Sequence, residues 1–84
     1  MSRISQQGLE RIKANILAVL YDEAPQSLSA PEIAELEVRD KEFVLRLLKD
    51  MEKKYLVRNV TLRNTKKSSW VMTEQAYKKY KELL

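Results

Sequence analysis

VRDKEFVLRLLKDMEKKYLV, residues 38–57, is the stretch that decides the fold. Phe43, Val44, Leu47, Leu48 and Met51 recur at helical spacing and form one broad apolar stripe. The opposite arc carries Glu42, Arg46, Lys49, Asp50 and Lys53. Asp40 is a good N-cap for this helix, because a short carboxylate can accept an amide hydrogen from the first turn. Directly afterwards LVRNVTLR, residues 56–63, changes period. Leu56, Val60 and Leu62 alternate with Asn59, Thr61 and Arg63, which predicts a strand. A helix with a mostly cationic outer face thus feeds straight into a hairpin.

Upstream, Leu9, Ile12, Ile16, Leu17, Val19 and Leu20 share a face, with Glu10, Arg11, Lys13 and Asn15 outside it. This predicts a helix over about 5–22, with Ser5 as its candidate start and Pro25 beyond its end. QSLS, residues 26–29, reads as a short extended stub. SAPE, residues 29–32, has the spacing of a capping box, with Pro31 where its missing N–H costs nothing. A short second helix over about 30–37 follows, with Ile33, Ala34 and Leu36 inward. The third helix is expected over about 40–54, and the wing strands over about 56–63 and 69–72 around a polar turn. Thr73 caps a final helix over about 73–84, whose stripe is Ala76, Tyr77, Tyr80, Leu83 and Leu84. All 84 residues are expected to form one domain.

Composition excludes much. The chain has no cysteine and no histidine, so disulfides, thiolate sites and the commonest general base are ruled out. Gly8 is the single glycine, so no phosphate-cradling glycine loop exists. Glu32, Glu35 and Glu37 lack a metal-ligand pattern. No catalytic residue, metal site, cofactor or small-molecule ligand is expected, and the chain is read as a non-enzyme. The longest apolar run falls far short of the ~18 residues of a membrane span. The N-terminal residues lack a signal peptide's apolar centre, so a cytoplasmic location is expected. Net charge is +4. Residues 53–81 hold Lys53, Lys54, Arg58, Arg63, Lys66, Lys67, Lys78, Lys79 and Lys81 against Glu74 alone. That excess is compatible with a polyanion partner.

The segments IAELEV (33–38), VLRLL (44–48) and MEKKYLV (51–57) resemble the helix-turn-helix of winged-helix transcription regulators. WVMTEQA (70–76) looks like the strand-to-helix junction of MarR- and PadR-like members, and small winged-helix proteins of archaea and their viruses are similar in layout. The implied fold class is α+β, mainly α: a winged helix-turn-helix with three helices, a two-stranded wing and a C-terminal helix. The implied partner is double-stranded DNA, with the third helix in the major groove and the wing on the backbone or minor groove. Carried over position by position, Arg39, Lys41, Glu42, Leu45, Arg46 and Lys49 face DNA. Arg46 offers a bidentate fork to guanine, Leu45 a contact to a thymine methyl, and Lys41 and Lys49 charge for phosphates. Arg63, Lys66 and Lys67 fall at the wing tip. The chain departs from the pattern at Tyr55, where the family usually has glycine. Tyrosine tolerates positive φ poorly, so a different helix exit is expected. Ala76 replaces another frequent glycine, and the turn before the third helix is one residue longer than the commonest spacing.

Plainer readings stand beside these. Outward lysines are often only a solvated face. Glu42, Arg46 and Asp50 are also spaced for i, i+4 ion pairs, and Lys66 and Lys67 for a hairpin tip guarded against edge pairing. Trp70 suits the core better than a base stack. Leu9, Tyr77, Tyr80, Leu83 and Leu84 offer apolar surface for a homodimer, or the last helix packs across the first within one chain. The function expected is sequence-specific DNA binding by a dimeric transcription regulator. The alternative is a winged-helix protein-interaction module of replication, segregation or transcription machinery.

Overall fold

A computed structural model describes residues 5–61 and 68–84. Helix α1 (Gln6–Glu23) leads to strand β1 (Leu28–Ser29) and helices α2 (Ala30–Glu37) and α3 (Lys41–Lys53). Strands β2 (Val57–Asn59) and β3 (Ser69–Met72) precede helix α4 (Glu74–Leu83). The fold is the expected mainly helical α+β winged helix.

Local chemistry sets most element starts. The Ser5 hydroxyl accepts from the Gly8 amide at 3.1 Å and caps α1. Ser29 and Glu32 form the full capping box of α2, with the Ser29 amide donating to Glu32 Oε1 at 3.0 Å. Thr73 caps α4 by accepting from the Ala76 amide at 3.1 Å. Its hydroxyl also donates to the Tyr55 carbonyl at 2.7 Å, joining α4 to the end of α3. Asp40 occupies the N-cap position of α3, but its side chain makes no capping bond. The expected carboxylate cap is corrected to a backbone start.

Two helices end at left-handed residues that are not glycine. Val38 has φ 53° and Tyr55 has φ 62°. At α3 the Leu56 amide reaches back to the Met51 carbonyl and the Tyr55 amide to that of Glu52, both at 3.0 Å. At α2 the Arg39 and Val38 amides do the same to Ala34 and Glu35, at 2.9 and 3.2 Å. These paired bonds normally recruit glycine, because a Cβ crowds the left-handed turn. The expected change of exit at Tyr55 is therefore wrong: tyrosine takes the glycine geometry. At each turn two satisfied carbonyls offset a local cost of about 1–2 kcal/mol.

The sheet is antiparallel, in the order β1-β3-β2. The expected stub is a third short strand, with Leu28 opposite Trp70 and Ser29 opposite Ser69. Across the hairpin Val57 faces Met72 and Asn59 faces Trp70. Ile12, Ile16 and Leu20 of α1 meet Ile33 of α2, Val44, Leu48 and Met51 of α3, and Val57, Trp70 and Met72 of the sheet. Trp70 is a core residue, 1% exposed. Among the described residues, no helix is long and apolar enough to cross a membrane.

Candidate nucleic-acid interface

With Val44, Leu47, Leu48 and Met51 buried, α3 turns the rest of its circumference outward. Two i, i+4 rows occupy that arc: Lys41, Leu45, Lys49 and Lys53, then Glu42, Arg46 and Asp50. Arg39, Lys41, Arg46 and Lys49 are exposed, as expected of groups that meet phosphates or base edges. Among the described residues Arg46, Lys41 and Lys49 have no ion-pair or hydrogen-bond partner, so their charges remain available. The Arg39 guanidinium lies 6.0 Å from the centre of the Phe43 ring, which steadies it at the start of the helix.

Two members of the arc behave differently. Leu45 is half-buried and packs against the core, so the expectation of a fully outward leucine is corrected. Asp50 does not complete an ion-pair row with Arg46. Its Oδ2 accepts from Lys13 Nζ of α1 at 3.0 Å, and Lys54 Nζ stands 3.4 Å from the same oxygen. These bonds, Lys13 first, hold the Asp50 carboxyl below its ordinary range. The same bond raises the Lys13 ammonium against a smaller opposing effect of burial. Lys13, placed outside by its sequence position, has a side chain only 14% exposed. Its stem lies between helices while its charge reaches Asp50.

On the hairpin, Arg58, Asn59 and Thr61 are exposed. The Asn59 side-chain oxygen accepts from the Thr61 amide at 2.9 Å and from the Thr61 hydroxyl, turning the chain as it leaves β2. Arg63, Lys66 and Lys67, the expected wing-tip cations, lie outside the described residues. Arg58 was not singled out by sequence. It stands opposite Val71, on the face away from buried Val57, and the expected alternation, which set Leu56, Val60 and Leu62 together, did not signal it.

The expected pairing surface is divided. Tyr21 stacks on Tyr77 and meets Tyr80, each at 4.8 Å between ring centres. Burial, with Tyr77 beside it, raises the Tyr21 hydroxyl's pKa. Leu9, Tyr77 and Tyr80 are half-buried against the chain's own core, whereas Leu83 and Leu84 are exposed. Two open grooves flank α4. One, of about 830 Å³, includes Pro25, Arg58, Val71 and Tyr77; the other, of about 320 Å³, includes Leu17, Tyr55, Tyr80 and Leu83.

No family profile and no curated protein matches the sequence. Solved structures do match. MepR of Staphylococcus aureus, in complex with DNA, superposes with a TM-score of 0.77 at 23% identity, over 92% of this chain and 67% of that one. The zinc-responsive MarR family member ZitR of Lactococcus lactis gives 0.71 at 25% identity, over 86% and 49%. The Zalpha domain of Carassius auratus PKZ, in complex with Z-DNA, gives 0.66 at 23%, over 77% and 97%. The chain spans about half the length of several regulators it matches, 53% in another MepR structure. It has the winged-helix fold of the MarR-type transcription regulators.

Proposed function

We propose that the protein is a sequence-specific, double-stranded-DNA-binding transcription regulator. Helix α3 enters the major groove with Arg46 over base edges and Arg39, Lys41 and Lys49 on phosphates. Arg63, Lys66 and Lys67 of the wing add backbone or minor-groove charge. Leu45 supports the edge of the contact, where its half-exposed side chain can meet a thymine methyl. The observation that carries this reading is the cationic row of α3, unpaired among the described residues, on a fold whose similar structures include complexes with DNA. Copies associate through the end of α4, where Leu83 and Leu84 lack cover, and the regulator works in the cytoplasm.

The test is a gel shift on random duplex followed by selection of bound sequences. Binding should fall with salt by a slope of about −0.9 per phosphate contacted, and selection should return a defined site. No shift at low salt would overturn the reading in favour of a protein-interaction module.

A further inference from the structure

Successive side chains of a strand point to opposite faces, so Arg58 of β2 lies on the outer face of the sheet and Val57 and Asn59 share the inner one. Val57 is buried and joins the core with Val44, Leu48 and Met51 of α3. Asn59 lies opposite buried Trp70, yet Asn59 itself is exposed. It stands at the rim of the core, on the helical side of the hairpin, where the chain leaves β2. An apolar residue would continue the buried row at this position, but the sequence sets an amide there.

That amide is held in one orientation. Its Oδ1 accepts from the Thr61 amide, at 2.9 Å, and from the Thr61 hydroxyl. A backbone N–H can only donate, so the atom facing it is the oxygen and not the nitrogen. Both Nδ2 hydrogens are directed away from Thr61, and among the described residues they have no acceptor. A turn of this kind needs only the oxygen, which aspartate supplies equally well. Asparagine adds two donors and no negative charge.

Neutral side-chain donors meet phosphate oxygens in complexes with DNA, where they fix register without reading sequence. We infer that Asn59 Nδ2 donates to a backbone phosphate beside the groove that α3 enters, with Thr61 as its positioning residue. This rests on the DNA-binding reading above and adds a contact that carries no charge of its own. The cations of α3 attract the duplex from any direction. The amide, fixed to the hairpin, sets the angle at which the hairpin meets the backbone, because a hydrogen bond is directional and an ammonium charge is not.

Titration of the full chain with a selected and a scrambled duplex tests this with Asn59→Ala, Thr61→Val and Thr61→Ser. Both positions are exposed, so no change empties the core, and melting curves check each fold. Asn59→Ala should weaken both duplexes roughly tenfold with the salt slope unchanged, since a neutral donor releases no counterion. Thr61→Val should give a smaller loss, about threefold, and Thr61→Ser should bind like the unmodified chain. Single methylphosphonate substitutions, each replacing one charged phosphate oxygen by methyl, locate the contact. At one backbone position per bound copy, the penalty seen with the unmodified chain should shrink with Asn59→Ala; a loosened turn alone would not single out one phosphate. Asn59→Ala binding like the unmodified chain, a loss confined to the selected duplex, or a scan without such a position overturns the phosphate contact and leaves the cationic face of α3 in place. An unmodified chain that binds neither duplex overturns the DNA-binding reading, and this contact with it.

Discussion

Lys13 of α1 and Asp50 of α3, 37 positions apart, meet at 3.0 Å and fasten the candidate recognition helix to the first helix of the fold. Asp50→Asn should lower the melting temperature by a few degrees at neutral pH, because the sheltered Lys13 ammonium loses its charged partner. The Asp50 pKa is depressed in the fold, so its contribution is present above the ordinary carboxylate range. It disappears as pH falls through the folded value. The raised Lys13 pKa has the opposite sign, and its contribution is lost only at strongly alkaline pH. Melting curves of the two proteins should therefore converge in acid. A constant gap down to the lowest pH would show that the pair does not act electrostatically.

Arg46 and Lys49 sit on adjacent rows of α3 and should fail in different ways. Arg46→Ala should reduce discrimination between a selected site and its single-base variants by about 1–3 kcal/mol. Lys49→Ala should weaken all duplexes alike and reduce the salt slope by about one phosphate. Titrations of the selected duplex and a scrambled one at several salt concentrations separate the two effects. Equal losses for both variants on both duplexes would contradict the assigned docking.

Val38 and Tyr55 hold left-handed backbone that glycine holds without steric cost. Tyr55→Gly and Val38→Gly should each stabilise the chain by about 0.5–1 kcal/mol, the relief being partly offset by the freer unfolded glycine. Val38 is the stronger case because it is β-branched. Urea denaturation with an unchanged slope and a higher midpoint is the expected result. A lower midpoint would mean that the exposed side chains contribute more packing than their exposure suggests.

Ser29 serves α2 twice, as the cap of its first turn and as acceptor and donor toward Glu32. Ser29→Ala should cost about 1 kcal/mol, whereas Asp40→Ala, without a side-chain cap to lose, should cost much less. Equal losses on chemical denaturation would refute the assignment.

The helices were legible because their signals are local. The stripe Phe43–Met51, the Ser29–Glu32 box and the Thr73 cap all act within one or two turns. The resemblance carried by residues 33–57 and 70–76 pointed to the winged helix, and the fold agrees. Asp40 marked a helix start correctly for the wrong reason: the residue type suits a cap, but its side chain makes no capping bond. Tyr55 misled in the other direction, since its intrinsic preference is overruled by the carbonyls that its turn satisfies.

The sequence alone located the four helices to within a residue or two, the buried stripes of α1 and α3, and the cations on the outer arc of α3. It misplaced Leu36, expected inward but 58% exposed, and left Val57, only 1% exposed, out of the alternating strand residues. Periodicity and capping depend on residues a few positions apart. Only the tertiary structure decided that Leu28–Ser29 joins the sheet, that Tyr21 takes up Tyr77 and Tyr80, that Leu45 is half-covered and that Asp50 belongs to Lys13. These partners are distant in the chain, and their meeting depends on how whole elements dock. Hydrophobic burial drives that docking but does not specify its direction.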